Sequence, residues 1–209
     1  MDKYKITHDT WNKIAELYEE HFMDLDIYNE SYQDFCEALA QKTTVLELGC
    51  GPGNITRFLL KQRPDLKVDA TDIAPNMIDL GKKNVPHANF FKLDVREIKS
   101  LKKTYDAIMM GFTLPYLSQE DLRAFLGDAR SILNKEGIIY LSCIEGDYSN
   151  SSYQEGSSGD RTFVYYYSHE ELLKDFTQHD YKILNNKRIS FPRKNGEEEI
   201  HLIYLIQKI

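Results

Sequence analysis

The stretch Val45-Leu46-Glu47-Leu48-Gly49-Cys50-Gly51-Pro52-Gly53 constrains the fold more than any other part of this 209-residue chain. A short apolar run carrying one acid breaks into three glycines at alternate positions, and Ile55 to Lys61 then has helical character. A buried strand that turns through glycines into a helix lets backbone N–H groups approach a ligand, because glycine has no Cβ in the way. The spacing is G-x-G-x-G. The dinucleotide fingerprint is G-x-G-x-x-G, and Asn54 stands where its third glycine would fall.

The periodicity around this turn predicts alternating elements. Strand patterns occupy 44–48, 67–72, 89–93, 105–110 and 137–144, with helical patterns at 54–63, 75–83 and 118–134. Alternation of this kind argues for a parallel sheet flanked by helices. Residues 1–40 read as helical, with Trp11, Ile14, Ala15, Tyr18 and Phe22 recurring at three- and four-residue steps. Pro75 suits a first helical position, and Ser118 with Asp121 resembles a capping box. The composition of Gly146 to Asp160 predicts a mobile loop. Ser168-His169-Glu170-Glu171 is a capping box opening a helix to about residue 178. Strand patterns at 181–191 and 199–208 flank Lys194-Asn195-Gly196-Glu197, and Asn-Gly is a strong hairpin signal. The expected fold is α/β: a doubly wound, mostly parallel seven-stranded sheet with a C-terminal antiparallel hairpin and an N-terminal helical cap. One domain is expected, with 1–40 as cap, 41–145 as ligand-binding core and 146–209 as a substrate-side loop, helix and closing hairpin.

Bulk properties exclude several functions. The net charge of −7 argues against a nucleic-acid partner, which favours a basic face. No apolar run has the length that spans a bilayer, and no apolar h-region follows Met1-Asp2-Lys3. Three widely spaced cysteines, Cys36, Cys50 and Cys143, fit neither a disulfide framework nor a metal site. The simplest expectation is a cytoplasmic protein without metal, membrane or nucleic-acid partners, either monomer or homodimer.

Ligand-type residues fall at the carboxyl ends of successive strands, where open parallel sheets bind ligands. Asp72 lies nineteen residues past Gly53, near the interval expected of an acid that binds ribose hydroxyls. Asp94-Val95 follows the third strand and offers a carboxylate beside a backbone N–H. Met109-Met110-Gly111-Phe112 ends the fourth strand in glycine beside apolar walls. Each position also has a plainer reading: Asp72 and Asp94 as caps, Glu47 as an acid that orients the loop, Trp11 and Tyr18 as helix packing.

With these residues in place the chain resembles the class I S-adenosylmethionine-dependent methyltransferases. Glu47 to Gly53 looks like that family's first motif, and Asp72-Ile73-Ala74-Pro75-Asn76-Met77-Ile78 like its second, with Ala74 where a serine cap is common. Asp94-Val95 matches its adenine-binding position. The resemblance implies S-adenosyl-L-methionine as cofactor and a small-molecule O, N or C acceptor. Gly49 and Gly51 would then pass beside the methionine part, Asp72 would hold the ribose and Asp94 the adenine. Glu47, Gly53, Ile73, Met77, Val95, Met110, Trp11 and Tyr18 would complete the cofactor site, with Tyr116 and Phe112 facing the substrate. Thr113-Leu114-Pro115-Tyr116 departs from the Asn/Asp-Pro-Pro-aromatic motif of amino-methylating nucleic-acid enzymes. No catalytic residue stands out. His8, His21, Tyr28, Tyr116, Glu145, Tyr148 and His169 are candidate bases, none in a diagnostic constellation. The competing readings are an aminopropyl transferase, which would want carboxylates within Gly111–Leu117, a nicotinamide-dependent oxidoreductase, which would want glycine where Asn54 stands, and a non-catalytic cofactor-binding or regulatory protein on the same fold.

Overall fold

A computed structural model describes residues 2–156, 159–193, 196 and 198–209. The N-terminal region forms three helices, α1 (Lys3–Lys13), α2 (Ala15–Phe22) and α3 (Asn29–Ala38). The alternating core follows as β1 (Thr44–Leu48), α4 (Asn54–Gln62), β2 (Lys67–Asp72), α5 (Pro75–Asn84), β3 (Asn89–Lys92), β4 (Tyr105–Met110), α6 (Gln119–Ile132) and β5 (Leu133–Ile144). A short antiparallel pair, β6 (Ser152–Glu155) and β7 (Arg161–Val164), precedes α7 (His169–Gln178), β8 (Tyr181–Pro192) and β9 (Glu198–Lys208). Seven strands form one sheet in the order β3-β2-β1-β4-β5-β9-β8, parallel from β3 to β5 and antiparallel across β9 and β8.

The sheet is covered on both faces. One apolar cluster joins it to α6 and α7 through residues such as Leu122, Phe125, Leu126 and Phe176. The other joins it to α3 and α4 through Tyr32, Phe35, Ile55 and Leu59. β1 and β4 are therefore buried nearly throughout, as strands covered on both sides must be. Local signals set the helix starts: Pro75 opens α5, the Ser118 side chain accepts the Asp121 N–H, and Ser168 and Glu171 form a reciprocal capping box.

Two stretches differ from the sequence expectation. The expected loop at 146–160 instead contributes β6 and a 3-10 turn, and pairs with β7. The Tyr153 and Phe163 rings meet edge-on across that pair at 5.1 Å, an aromatic contact that the surrounding Ser and Gly obscured. Likewise β5 starts directly after α6, at Leu133, because Leu133 is already extended (φ −87°, ψ 134°). The pairing of β5 with β4 then shifts register between Tyr105 and Ala107. The β8–β9 turn at Lys194, Asn195 and Glu197 lies outside the described residues.

Candidate active site

The strand order turns at β1, which has β2 on one side and β4 on the other. A cleft opens beyond the carboxyl ends of these strands and encloses about 920 Å³ of space, part of it open to solvent. Its floor is the glycine turn. Gly49 (φ +69°) and Gly51 (φ +53°) hold left-handed backbone that other residues rarely adopt. A Cβ on Gly49 would lie 2.1 Å from Thr113 Oγ1, and one on Gly51 would lie 3.6 Å from the Tyr18 ring. Thr113 Oγ1 donates to the Leu48 carbonyl at 2.7 Å, tying the loop after β4 to the end of β1.

Asp72, at the end of β2, accepts the Gly51 N–H at 3.0 Å and the Ala74 N–H at 2.8 Å, one on each oxygen. Burial pushes its carboxyl above the usual range, against the pull of those backbone donors. Two donors leave about half of a carboxylate's lone-pair sites unused. Asp94 caps the 3-10 turn Val95–Ser100 through the Arg96 N–H. The Arg96 side chain engages both of its oxygens, with Nε at 3.0 Å and Nη2 at 2.5 Å. Burial raises the Asp94 carboxyl, and the Arg96 contacts more than offset that, so it sits below its ordinary value. The Arg96 guanidinium also lies 4.0 Å from the centre of the Tyr4 ring on α1.

Helices α1 and α2 close the other side of the cleft. Trp11 packs edge-on to Tyr18 at 5.4 Å and to Tyr116 at 5.5 Å. His8 Nε2 and Trp11 Nε1 are buried without a hydrogen-bond partner among the described residues, and both side chains line the cleft. Buried polar atoms ordinarily find partners, so two orphans on one cavity wall mark where a ligand would supply them.

Of the residues singled out from sequence, Gly49, Gly51, Asp72, Ile73, Met77, Asp94, Val95, Trp11, Tyr18, Phe112 and Tyr116 converge on this cleft. Glu47, Gly53 and Met110 do not reach it. Glu47 is buried behind the turn, accepting from Thr56 Oγ1 at 2.6 Å, and burial pushes its carboxyl up to about 8. Gly53 (φ +86°) starts α4, and a Cβ there would meet the Val85 and Phe90 side chains at 3.3 Å. Met110 points into the core beneath the sheet end.

Among the candidate bases only His8 and Tyr116 line the cleft. Tyr28 stands behind Phe112, ring to ring at 4.7 Å, and bonds His201 Nδ1 at 2.7 Å. His21 bonds the Leu17 carbonyl, Glu145 pairs with Arg188, Tyr148 stacks on Tyr165, and His169 bonds the Tyr204 hydroxyl. Sequence reading missed Tyr4, Thr7 and Arg96 on the cleft wall. Arg96, two residues past an acid at a strand end, was the one with a local signal.

Comparison with known proteins gives the site its context. A model described as a methyltransferase domain matches residues 45–137. The malonyl-acyl-carrier protein O-methyltransferase of Halalkalibacterium halodurans is 29% identical over 117 residues, 53% of this chain and 42% of that protein. The trans-aconitate 2-methyltransferase of an Enterobacter species is 33% identical over 102 residues, 49% of this chain and 39% of that protein. The matches thus span less than half the length of either relative. The structure of Burkholderia thailandensis 1,6-didemethyltoxoflavin-N1-methyltransferase, with bound 1,6-didemethyltoxoflavin and S-adenosylhomocysteine, superposes with a TM-score of 0.74. That superposition covers 100% of this chain and 91% of the other at 16% identity. The glycine turn, the acids after β2 and β3, the sheet order and these matches agree: the chain carries a methyltransferase-domain match over residues 45–137 and shares the fold of that S-adenosylhomocysteine-bound methyltransferase.

Proposed function

We propose that the protein transfers a methyl group from S-adenosyl-L-methionine to a small-molecule acceptor. The observation that carries this reading is the convergence of Asp72, Asp94 and the Gly49–Gly51 turn on one cleft that also holds two unpartnered ring nitrogens. Asp72 keeps lone pairs for both hydroxyls of a ribose, and Asp94 with Val95 addresses the adenine edge, where Arg96 is already a partner. Ile73 and Met77 supply apolar walls. Gly49 and Gly51 pass beside the amino-acid part, which a side chain at either position would crowd. Residues 1–40 act as the cap, 41–145 as the cofactor core and 146–209 as the substrate side. Glu47, Gly53 and Met110 support this site from behind.

When bound, the cofactor supplies a methyl group on an electrophilic sulfonium. The chain's own part is to align, enclose and dry the reactants, and positioning of that kind is worth up to about 7–11 kcal/mol in favourable cases. A fixed triad is not required, in keeping with a cleft on which only His8 and Tyr116 of the candidate bases lie. The net charge of −7 favours a small acceptor over nucleic acid. The three buried free cysteines fit a reducing, cytoplasmic setting. Among the described residues no helix is long and apolar enough to cross a membrane.

Isothermal titration of the full chain with S-adenosylhomocysteine tests the reading. Saturable binding is expected, and Asp72→Asn should weaken it about 10- to 100-fold, the worth of a hydrogen bond to a charged group. Absence of heat at millimolar ligand, or unchanged affinity in Asp72→Asn, would overturn it.

A further inference from the structure

Helix α1 turns one stripe toward the cleft, and Tyr4, Thr7, His8 and Trp11 on it all line the cavity. His8 is set apart by how its two nitrogens are used. Nδ1 stands 2.9 Å from Asp9 Oδ1, and the other Asp9 oxygen accepts from Lys5 Nζ at 2.5 Å. The Lys5 and His8 contacts hold the Asp9 carboxyl below its ordinary value, so at neutral pH it is a carboxylate and can only accept. The proton between the two side chains therefore belongs to Nδ1. In the neutral ring this leaves Nε2 with a lone pair, shut off from solvent and without a partner among the described residues. A buried acceptor in that condition is a cost until a donor reaches it.

The surroundings decide what kind of donor fits. Burial acts upward on the Asp72 and Asp94 carboxyls, and His8 is among the groups close enough to pull against it at both. Nε2 thus keeps company with the two acids that the transferase reading gives to sugar and base. Arg96, the guanidinium on this wall, is already spent on Asp94. From this geometry we infer that His8 reads the nucleoside of the cofactor: Nε2 accepts a hydrogen bond from a sugar hydroxyl or from the base amine. The inference rests on the transferase reading above and adds a binding residue from the cap helix to it.

Asp72, Asp94 and Nε2 are all acceptors, so together they select a ligand rich in donors. Adenosine is one: each sugar hydroxyl carries a proton and the base amine a pair, which leaves a donor for Nε2 whichever of them the acids take first. A phosphate in the same place would set lone pairs against lone pairs with no free cation among the described lining residues. Asp9 does not touch the ligand. It is a positioning residue, because the hydrogen bond at Nδ1 decides which tautomer the ring adopts and so keeps Nε2 free to accept. Since His8 stands on α1 and both acids stand at strand ends of the sheet, one bound nucleoside would join cap to core.

The test is calorimetric and independent of turnover. The full chain is titrated with S-adenosylhomocysteine, with its 2′-deoxy and 3′-deoxy forms, and with S-inosylhomocysteine, which has a carbonyl in place of the amine. His8→Phe keeps a ring and loses both nitrogens, and is expected to weaken S-adenosylhomocysteine about tenfold, the worth of one hydrogen bond. On the analogue that lacks the donor, the same substitution should cost no more than about twofold, and that analogue names the donor as sugar or base. His8→Gln, which restores an acceptor, should recover most of the loss. Asp9→Ala should cost about threefold in the wild-type chain and nothing in the His8→Phe chain. Unchanged S-adenosylhomocysteine affinity in His8→Phe, the result that a base acting on the methyl acceptor would give, overturns the inference while the transferase reading stands. An equal loss on every ligand overturns it too. Failure of S-adenosylhomocysteine to bind the wild-type chain removes that reading, and this inference with it.

Discussion

At the scale of single residues, the site depends on pairs that are remote in sequence and touching in space. Gly49 and Thr113 are such a pair. Replacing Gly49 by Ala would combine a left-handed backbone with a Cβ 2.1 Å from Thr113 Oγ1. Gly49→Ala is therefore expected to cost about 2 kcal/mol or more in urea unfolding and to abolish detectable S-adenosylhomocysteine binding, and Thr113→Ala should not restore it. Glu47 behaves differently. Buried and bonded only through one oxygen to Thr56, it holds its proton in the folded state up to about pH 8 and releases it near its ordinary value when unfolded. Between those two values the folded state binds the extra proton, so stability from this group is full at low pH and is lost as pH rises toward 8. Glu47→Gln should flatten that loss: its melting temperature relative to wild type is expected to rise between pH 5 and pH 8.5, by the equivalent of roughly 2 kcal/mol. A difference from wild type that is the same at both pH values would contradict it. The sequence made Asp72, Asp94 and the glycines legible because their meaning lies in spacing along the chain. It hid Thr7, Arg96 and the burial of Glu47, because whether a side chain faces a cleft or a core depends on what folds over it.

At the scale of elements, local chemistry was the better guide. The strands from Thr44, Lys67, Asn89 and Tyr105 start where period and β-branched content place them, and the helix starts at Pro75, Ser118 and Ser168 follow from their caps. The α7 capping box permits a measurement. Ser168→Ala removes the acceptor for the Glu171 N–H, and should cost about 1 kcal/mol in denaturant unfolding with S-adenosylhomocysteine affinity within twofold of wild type. Residues 146–160 were misread because composition cannot show cross-strand pairing: Tyr153 finds Phe163 only once the chain has turned back. The early start of β5 was missed for a related reason. Helical periodicity runs through Leu133, and β4 alongside it decides that Leu133 is extended.

At the scale of the molecule, the first helix is tied to β7 by contacts between residues 151 and 156 positions apart. Helix α1 runs beside β7, with Thr10 Oγ1 donating to the Arg161 carbonyl at 2.8 Å and the Phe163 N–H donating to Thr7 Oγ1 at 3.1 Å. Asn12 joins the same helix to α5 through two hydrogen bonds with Asn76, at 2.9 and 2.7 Å. If the cap reading is right, S-adenosylhomocysteine should slow amide hydrogen exchange across residues 3–22 as well as in the glycine turn. Protection confined to the strand ends would show that the helices do not close on the cofactor. No sequence pattern announced this arrangement, since it joins the first helix to a strand that the whole β1–β5 core separates from it in sequence.

The tethers that hold α1 to β7 and to α5 have a kinetic consequence. The partly buried rings of Trp11 and Tyr18 line the cleft, so on the transferase reading spent cofactor leaves most readily when that doorway swings. Four hydrogen bonds at about 1 kcal/mol each would keep it shut for all but roughly one molecule in a thousand at any instant. On that reading, weakening Asn12 or Thr10 should quicken product escape while loosening the grip on the incoming donor.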